Sequence, residues 1–370
     1  MSGQLGKTIT MDANPQVTAN SGNRVIYLDL LRIISAFAVV MLHVATQHWE
    51  DSFFSTEWMI RNVYDSCVRW CVPVFVMISG ALFLDTKREL NVKRLYTKNI
   101  VRILYTFILW SIIYALANAF LNTKENMKIS YIASDIFAGR FHLWFLKMLL
   151  GLYIVTPILK SIVSSKRVEI YFLCVAIITC SIIPLFLFVA GLFNNEITSI
   201  LEGWYNTMEI KIALGYTGYF VLGHFLNTYS FNRKTINIIY VLGCFSFVCV
   251  IFSSYLFSVS KGEPSGPFYG YLNIFTVFEA VAIFLFVKQK SCNIPTTFCN
   301  SIIHFSKMSF GIYLVHILVL LDIMYFRFGF DSSTFNPAFF IPCLSLIIFF
   351  LSYLITRILY NIPYLNKLVM

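Results

Sequence analysis

Ten runs of apolar residues, each close to the length that crosses a bilayer as a helix, alternate along the chain with shorter polar connections. They lie at 25–46, 67–84, 100–121, 141–159, 169–191, 211–227, 236–258, 268–288, 308–328 and 338–360. The sixth, interrupted by Gly215, Gly218 and Gly223, carries the weakest signal. The pattern predicts an all-α polytopic membrane protein of about ten transmembrane helices. No internal repeat and no intervening soluble segment is visible, so residues 24–370 read as one membrane domain behind a polar tail, 1–23.

Composition agrees, since 58% of the 370 residues are hydrophobic and only 12% are charged, which excludes a soluble globular domain. A net charge of +10 would suggest nucleic acid in a soluble protein. Here the cations cluster beside the apolar runs, where anionic headgroups account for them, so the expected partner is the lipid bilayer and not nucleic acid. With ten spans and the N-terminus inside, most of the 28 Lys and Arg fall in cytoplasmic segments, so both termini are predicted cytoplasmic. The tail has no apolar core and no cleavage signal; it reads as disordered, and the first helix as an uncleaved signal anchor. The nine Cys sit mostly within apolar runs, and neither a disulfide framework nor a metal-ligand cluster is indicated. The longer outer connections, 47–66, 122–140, 192–210 and 259–267, are either walls of an extracytoplasmic site or plain connectors.

Within the first run stand Arg32 and His43. Eleven residues at about 100° each make three turns plus roughly 20°, so both side chains share one helix face, about 16 Å apart along the axis. Arg in a bilayer costs at least about 2.5 kcal/mol, which makes an intramembrane Arg a functional candidate, although snorkelling to the headgroups would also satisfy it. Asp29, one turn before Arg32, is placed to hold the guanidinium. With no G-x-S-x-G elbow and no phosphate-cradling Gly loop in the chain, His43 is the best general base.

Other polar groups are less specific. The segment 85–102 holds six cations, including Lys87, Arg88, Lys93, Arg94 and Arg102, a density suited to a polyphosphorylated ligand such as coenzyme A or simply to an orientation signal. Gly80, closing Val72-Pro73-Val74-Phe75-Val76-Met77-Ile78-Ser79-Gly80, would let a ligand approach the backbone there. His142 and Trp144 open the fourth run as an interfacial belt or as substrate contacts. Ser309, Tyr313 and His316 share two turns of the ninth, as a packing motif or as a polar lining. Glu279, mid-helix in the eighth, must be neutral, paired or facing a wet cavity, and is a third catalytic candidate.

Taken in order, Leu28-Asp29-Leu30-Leu31-Arg32 continuing to His43, the 72–80 run, His142-Leu143-Trp144-Phe145-Leu146 with Tyr153 and Pro157, and Ser309-Phe310-Gly311-Ile312-Tyr313-Leu314-Val315-His316 resemble the acyltransferase-3 family of membrane acyltransferases, with a flavour of the enzymes that O-acetylate surface polysaccharides. The resemblance implies ten helices around a cavity, acetyl-CoA as donor on the cytoplasmic side, a glycan acceptor on the other, and residence in a bacterial inner membrane. It marks Arg32 and His43 as the essential pair, and Ser79, Gly80, Arg88 and Arg102 as parts of the acyl-CoA face. His43 would then take a proton from a sugar hydroxyl or carry the acetyl group, while Arg32 holds the phosphopantetheine arm or steadies the oxyanion. Glu279 and Cys292 match nothing in that pattern. The rival reading is a transporter that flips or exports a polysaccharide, with Arg32, His43 and Glu279 as a relay.

Overall fold

The computed structural model describes residues 24–50, 53–121, 129–193, 195–264, 266–330, 335–363 and 365–367; the tail expected over 1–23 lies outside them. Ten helical stretches follow one another: α1 (Ile26–Ala45), α2 (Thr56–Phe83), α3 (Val92–Phe120), α4 (Ile132–Ile162), α5 (Lys166–Gly191), α6 (Ile210–Thr228), α7 (Arg233–Lys261), α8 (Pro267–Asn293), α9 (Thr296–Phe328) and α10 (Pro337–Asn361). Among the described residues, 9 are long and apolar enough to cross a membrane, and α6 alone of the ten falls short in composition. The protein is a helical membrane bundle with α1 at its centre, packed on α2, α8, α9 and α10.

The weakness of α6 as a sequence signal has a structural cause. A Cβ on Gly80 of α2 would lie 1.7 Å from the Phe220 carbonyl oxygen, and one on Gly223 of α6 would lie 1.9 Å from that of Met77. The two backbones therefore touch through reciprocal glycines, the close approach by which membrane helices gain packing without a hydrophobic drive. Partners on α2, α4, α5 and α8 surround α6, so its polar groups bond within the protein instead of facing lipid. His224 Nδ1 lies 2.7 Å from Glu169 Oε1 of α5, both residues buried, and Thr228 Oγ1 lies 3.2 Å from His224 Nε2. Lys288 of α8 donates to the carbonyls of Leu226 and Asn227 at 2.7 and 2.9 Å, satisfying the orphan end of α6.

Four boundaries differ from the hydropathy reading. The connection expected over 47–66 is helical from Thr56, where Ser55 Oγ accepts from the Trp58 N–H at 3.1 Å as an N-cap. Two of its polar residues are buried and paired: Asn62 donates to the Ile251 carbonyl at 3.1 Å and accepts from the Tyr269 hydroxyl, while Asp65 pairs with Arg69. Polar side chains bonded inside the bundle look like loop to a hydropathy window. The connections at 122–140 and 192–210 likewise contain helices, Ile129–Ala138 and Asn195–Thr207. Helix α9 starts at Thr296, well before the apolar run at 308, and so carries a polar turn that proves important below.

Candidate functional site

Asp29 is the anchor of the site. Although 1% exposed, its carboxylate accepts from Arg24 Nε at 2.8 Å, from Arg32 Nη1 at 3.0 Å and from Ser306 Oγ of α9 at 2.6 Å. One carboxylate thus orients two guanidinium groups and ties α1 to α9. Charge-assisted bonds of this kind are the strong ones, and they stop Arg32 from snorkelling away.

A cavity of about 320 Å³ opens beside that anchor, lined from α1, α2, α3, α4, α8 and α9. Both Arg32 and His43 face it, as their helical spacing predicts. At the Arg24 end of the bundle the lining carries Arg24, Arg32, Arg102 and Lys307; toward His43 it becomes aromatic and apolar, with His142, Trp144, Tyr271 and Tyr313. The cavity therefore has a cationic mouth and a neutral far half.

Around His43 the imidazoles cluster. The His43 and His316 ring centres are 5.2 Å apart, those of His142 and His316 5.3 Å, and those of His142 and Tyr313 5.7 Å. The Tyr313 hydroxyl donates to the His142 carbonyl, which fixes α9 against α4. His316 Nδ1 donates to its own helix at the Tyr313 carbonyl, and its Nε2 has no hydrogen-bond partner among the described residues.

A π-helical segment, Leu318–Tyr325, begins just past His316. Tyr114 of α3 explains where it starts. Its hydroxyl donates to the Leu314 carbonyl at 2.7 Å and accepts from the Leu318 N–H at 3.1 Å, and so occupies the step that a regular helix would close between those two residues. A side chain inserted into the ladder is a recognised cause of such bulges, which gather at functional sites.

The sequence-predicted residues separate cleanly. Arg32, His43, Ser79, Arg102, His142, Trp144 and Tyr313 line one cavity, and His316, outside the lining, packs its ring against His43. Lys87, Arg88, Lys93 and Arg94 are exposed and outside the lining. Gly80 is likewise outside it and meets α6. Glu279, fully buried, also stands apart from the cavity; among the described residues neither carboxylate oxygen has a hydrogen-bond partner, and the cation whose field reaches it is Arg69, not Arg32. Sequence reasoning missed Tyr271, stacked on Trp144 at 5.7 Å, and the lining roles of Arg24, Ser306 and Lys307. The last two lie on the polar turn of α9 that hydropathy assigned to a loop.

A family model described as an acyltransferase domain matches residues 25–357, nearly the whole chain. No curated protein and no solved structure matches.

Proposed function

We propose that this chain, which belongs to the acyltransferase-3 family of membrane acyltransferases, is an O-acetyltransferase. In this reading it moves an acetyl group from acetyl-CoA to a hydroxyl of a surface or lipid-linked polysaccharide. The observation that carries the reading is the single cavity joining Arg32 to His43, cationic at one end and aromatic at the other. A phosphate-bearing donor fits the first end, and a neutral sugar, which stacks on aromatic faces, fits the second. Placing the Arg24 end in the cytoplasm, as the distribution of basic residues favours, puts donor and acceptor on opposite sides of a bacterial inner membrane.

Distance assigns the two roles. His43 must lie within about 3 Å of the hydroxyl it deprotonates. Arg32, three turns away at about 16 Å along the axis, is too far to steady the oxyanion at the same carbon, and holds the donor's phosphopantetheine arm instead. In the transfer, His43 Nε2 or Nδ1 takes the hydroxyl proton, the sugar oxygen forms its bond to the thioester carbonyl carbon, and the C–S bond breaks. The thiolate of coenzyme A leaves and recovers the proton from His43. Phe141 and His316 keep the His43 ring in place, with His142 packed on His316.

Membranes containing the protein should transfer label from acetyl-CoA to a lipid-linked or polymeric glycan, and membranes with His43→Ala should not. Export or flipping of glycan with no label incorporated would replace this reading with that of a transporter.

A further inference from the structure

The cavity has an annexe that the acyl-transfer chemistry does not use. Asn300, Ile303, His304 and Lys307 recur at helical spacing along one face of α9, and with Arg24 they line a shallow depression. Arg24 and Lys307 line the deep cavity as well, so depression and cavity are continuous.

Its chemistry is that of an anion seat with a polar floor. The four cations at the mouth, Arg24, Arg32, Arg102 and Lys307, are met by the single carboxylate of Asp29, which is bonded to two of them. Neither Lys307 nor Arg102 has an ion pair among the described residues. His304 is held from behind, since its Nε2 lies 3.0 Å from the Tyr353 hydroxyl, which itself accepts from Arg357 Nη1 at 3.0 Å. That leaves His304 Nδ1, on a ring held by Tyr353, and the exposed Asn300 amide as polar groups beside the surplus positive charge. By contrast, Lys87 and Arg88 are exposed and outside the cavity lining, and their segment is partly used internally: Asp85 pairs with Arg88 at 3.4 Å, and Lys160 caps the Asp85 carbonyl at 2.9 Å.

We infer that this face of α9 is the seat of the donor's phosphorylated nucleotide end, with Arg24 and Lys307 on its phosphates and Asn300 and His304 on the nucleoside. The inference rests on acetyl-CoA being the donor. A ligand lying along α9 from Asn300 through Lys307 would enter the deep cavity beside Ser306 and Ser309, on the path that leads past Arg32 to His43. Specificity for coenzyme A over shorter thioesters would then come from α9, and the exposed cations Lys87, Arg88, Lys93 and Arg94 would contribute topology alone.

The test uses the purified full chain in lipid nanodiscs and measures binding of coenzyme A, of dephospho-coenzyme A lacking the ribose phosphate, and of adenosine 3′,5′-bisphosphate. Wild type should bind coenzyme A more tightly than the dephospho form. Lys307→Gln, an exposed substitution, should weaken coenzyme A about tenfold and erase most of that preference; His304→Ala should weaken adenosine 3′,5′-bisphosphate. The paired exchange Lys87→Gln with Arg88→Gln should leave all three affinities as they were. If wild type binds coenzyme A and the preference survives in both α9 variants, the seat is wrong and the donor reading stands. Loss of the preference on changing Lys87 and Arg88 instead would move the seat to that segment. Absence of any coenzyme A binding by wild type would overturn both the seat and the donor.

Discussion

The Tyr114 hydroxyl and the Leu318 amide, 3.1 Å apart, set the register of α9 immediately past His316. In Tyr114→Phe the Leu314 carbonyl and the Leu318 N–H lose this bridge, and the cheapest repair is a regular helical turn. Two hydrogen bonds at about 1 kcal/mol each give a modest loss of stability. Re-winding the π-segment, however, turns everything beyond it relative to α1. We predict that Tyr114→Phe inserts at near-normal abundance while acyl transfer falls at least tenfold; equal activity at equal abundance would show that the bridge is packing only.

Substitution of His43 and of Arg32 should separate in kinetics. A general base contributes about 10²–10⁴-fold, so His43→Ala should lose kcat on that scale. Arg32→Ala should act chiefly on the apparent affinity for the donor, because Arg32 holds an arm and not the reacting carbon. Initial rates over a range of acetyl-CoA, normalised to the amount of protein in the membrane, separate the two. A pure kcat effect from Arg32→Ala would place its guanidinium at the chemistry after all.

Asp29→Asn keeps the shape of the anchor but removes the charge that two guanidinium groups share. The expectation is a rise in donor KM comparable to that of Arg32→Ala. The double variant should add little to either single change, since residues in one network are not additive. Additive losses would mean that Asp29 and Arg32 work separately.

Glu279 offers the reverse case. It is not among the residues that line the cavity, so we expect its carboxyl to take no part at the acceptor hydroxyl or the thioester. Glu279→Gln should therefore retain transfer activity within about twofold, and Glu279→Ala should lose abundance through a buried cavity, typically about 2–3 kcal/mol or more for a truncation of this size. Near-total inactivity of the Gln variant in a normally abundant protein would return Glu279 to the mechanism.

What was legible in the sequence was what one helix can encode alone. Arg32, His43 and Asp29 share a face because their spacing obliges them to, and no tertiary contact is needed to see it. The stretch Thr56–Val68 and helix α6 were hard to read for the opposite reason: Asn62 and His224 are polar residues bonded to partners far along the chain, at Ile251 and Glu169. Lys307 was visible as a charge but not as a lining residue, because an apolar window starts α9 one residue after it. Tyr271 gives no local signal, and only the packing of α8 against Trp144 reveals it.

The glycine contact between α2 and α6 also bears on how the chain enters the membrane. Gly80 is synthesised long before Gly223, so the seat for α6 is present when that helix, too polar to be a strong span by itself, arrives. Insertion of α6 as a crossing would then depend on a partner already in place. Every later helix inherits its direction from that event by parity: were α6 to stay out, α7 to α10 would run inverted, and the α9 face bearing Ser306 and Lys307 would open on the opposite side from Arg24. A single added methyl at Gly223, tested with orientation reporters fused after α7, would then act as a wiring fault, dividing one catalytic cavity between two compartments without touching a residue that lines it.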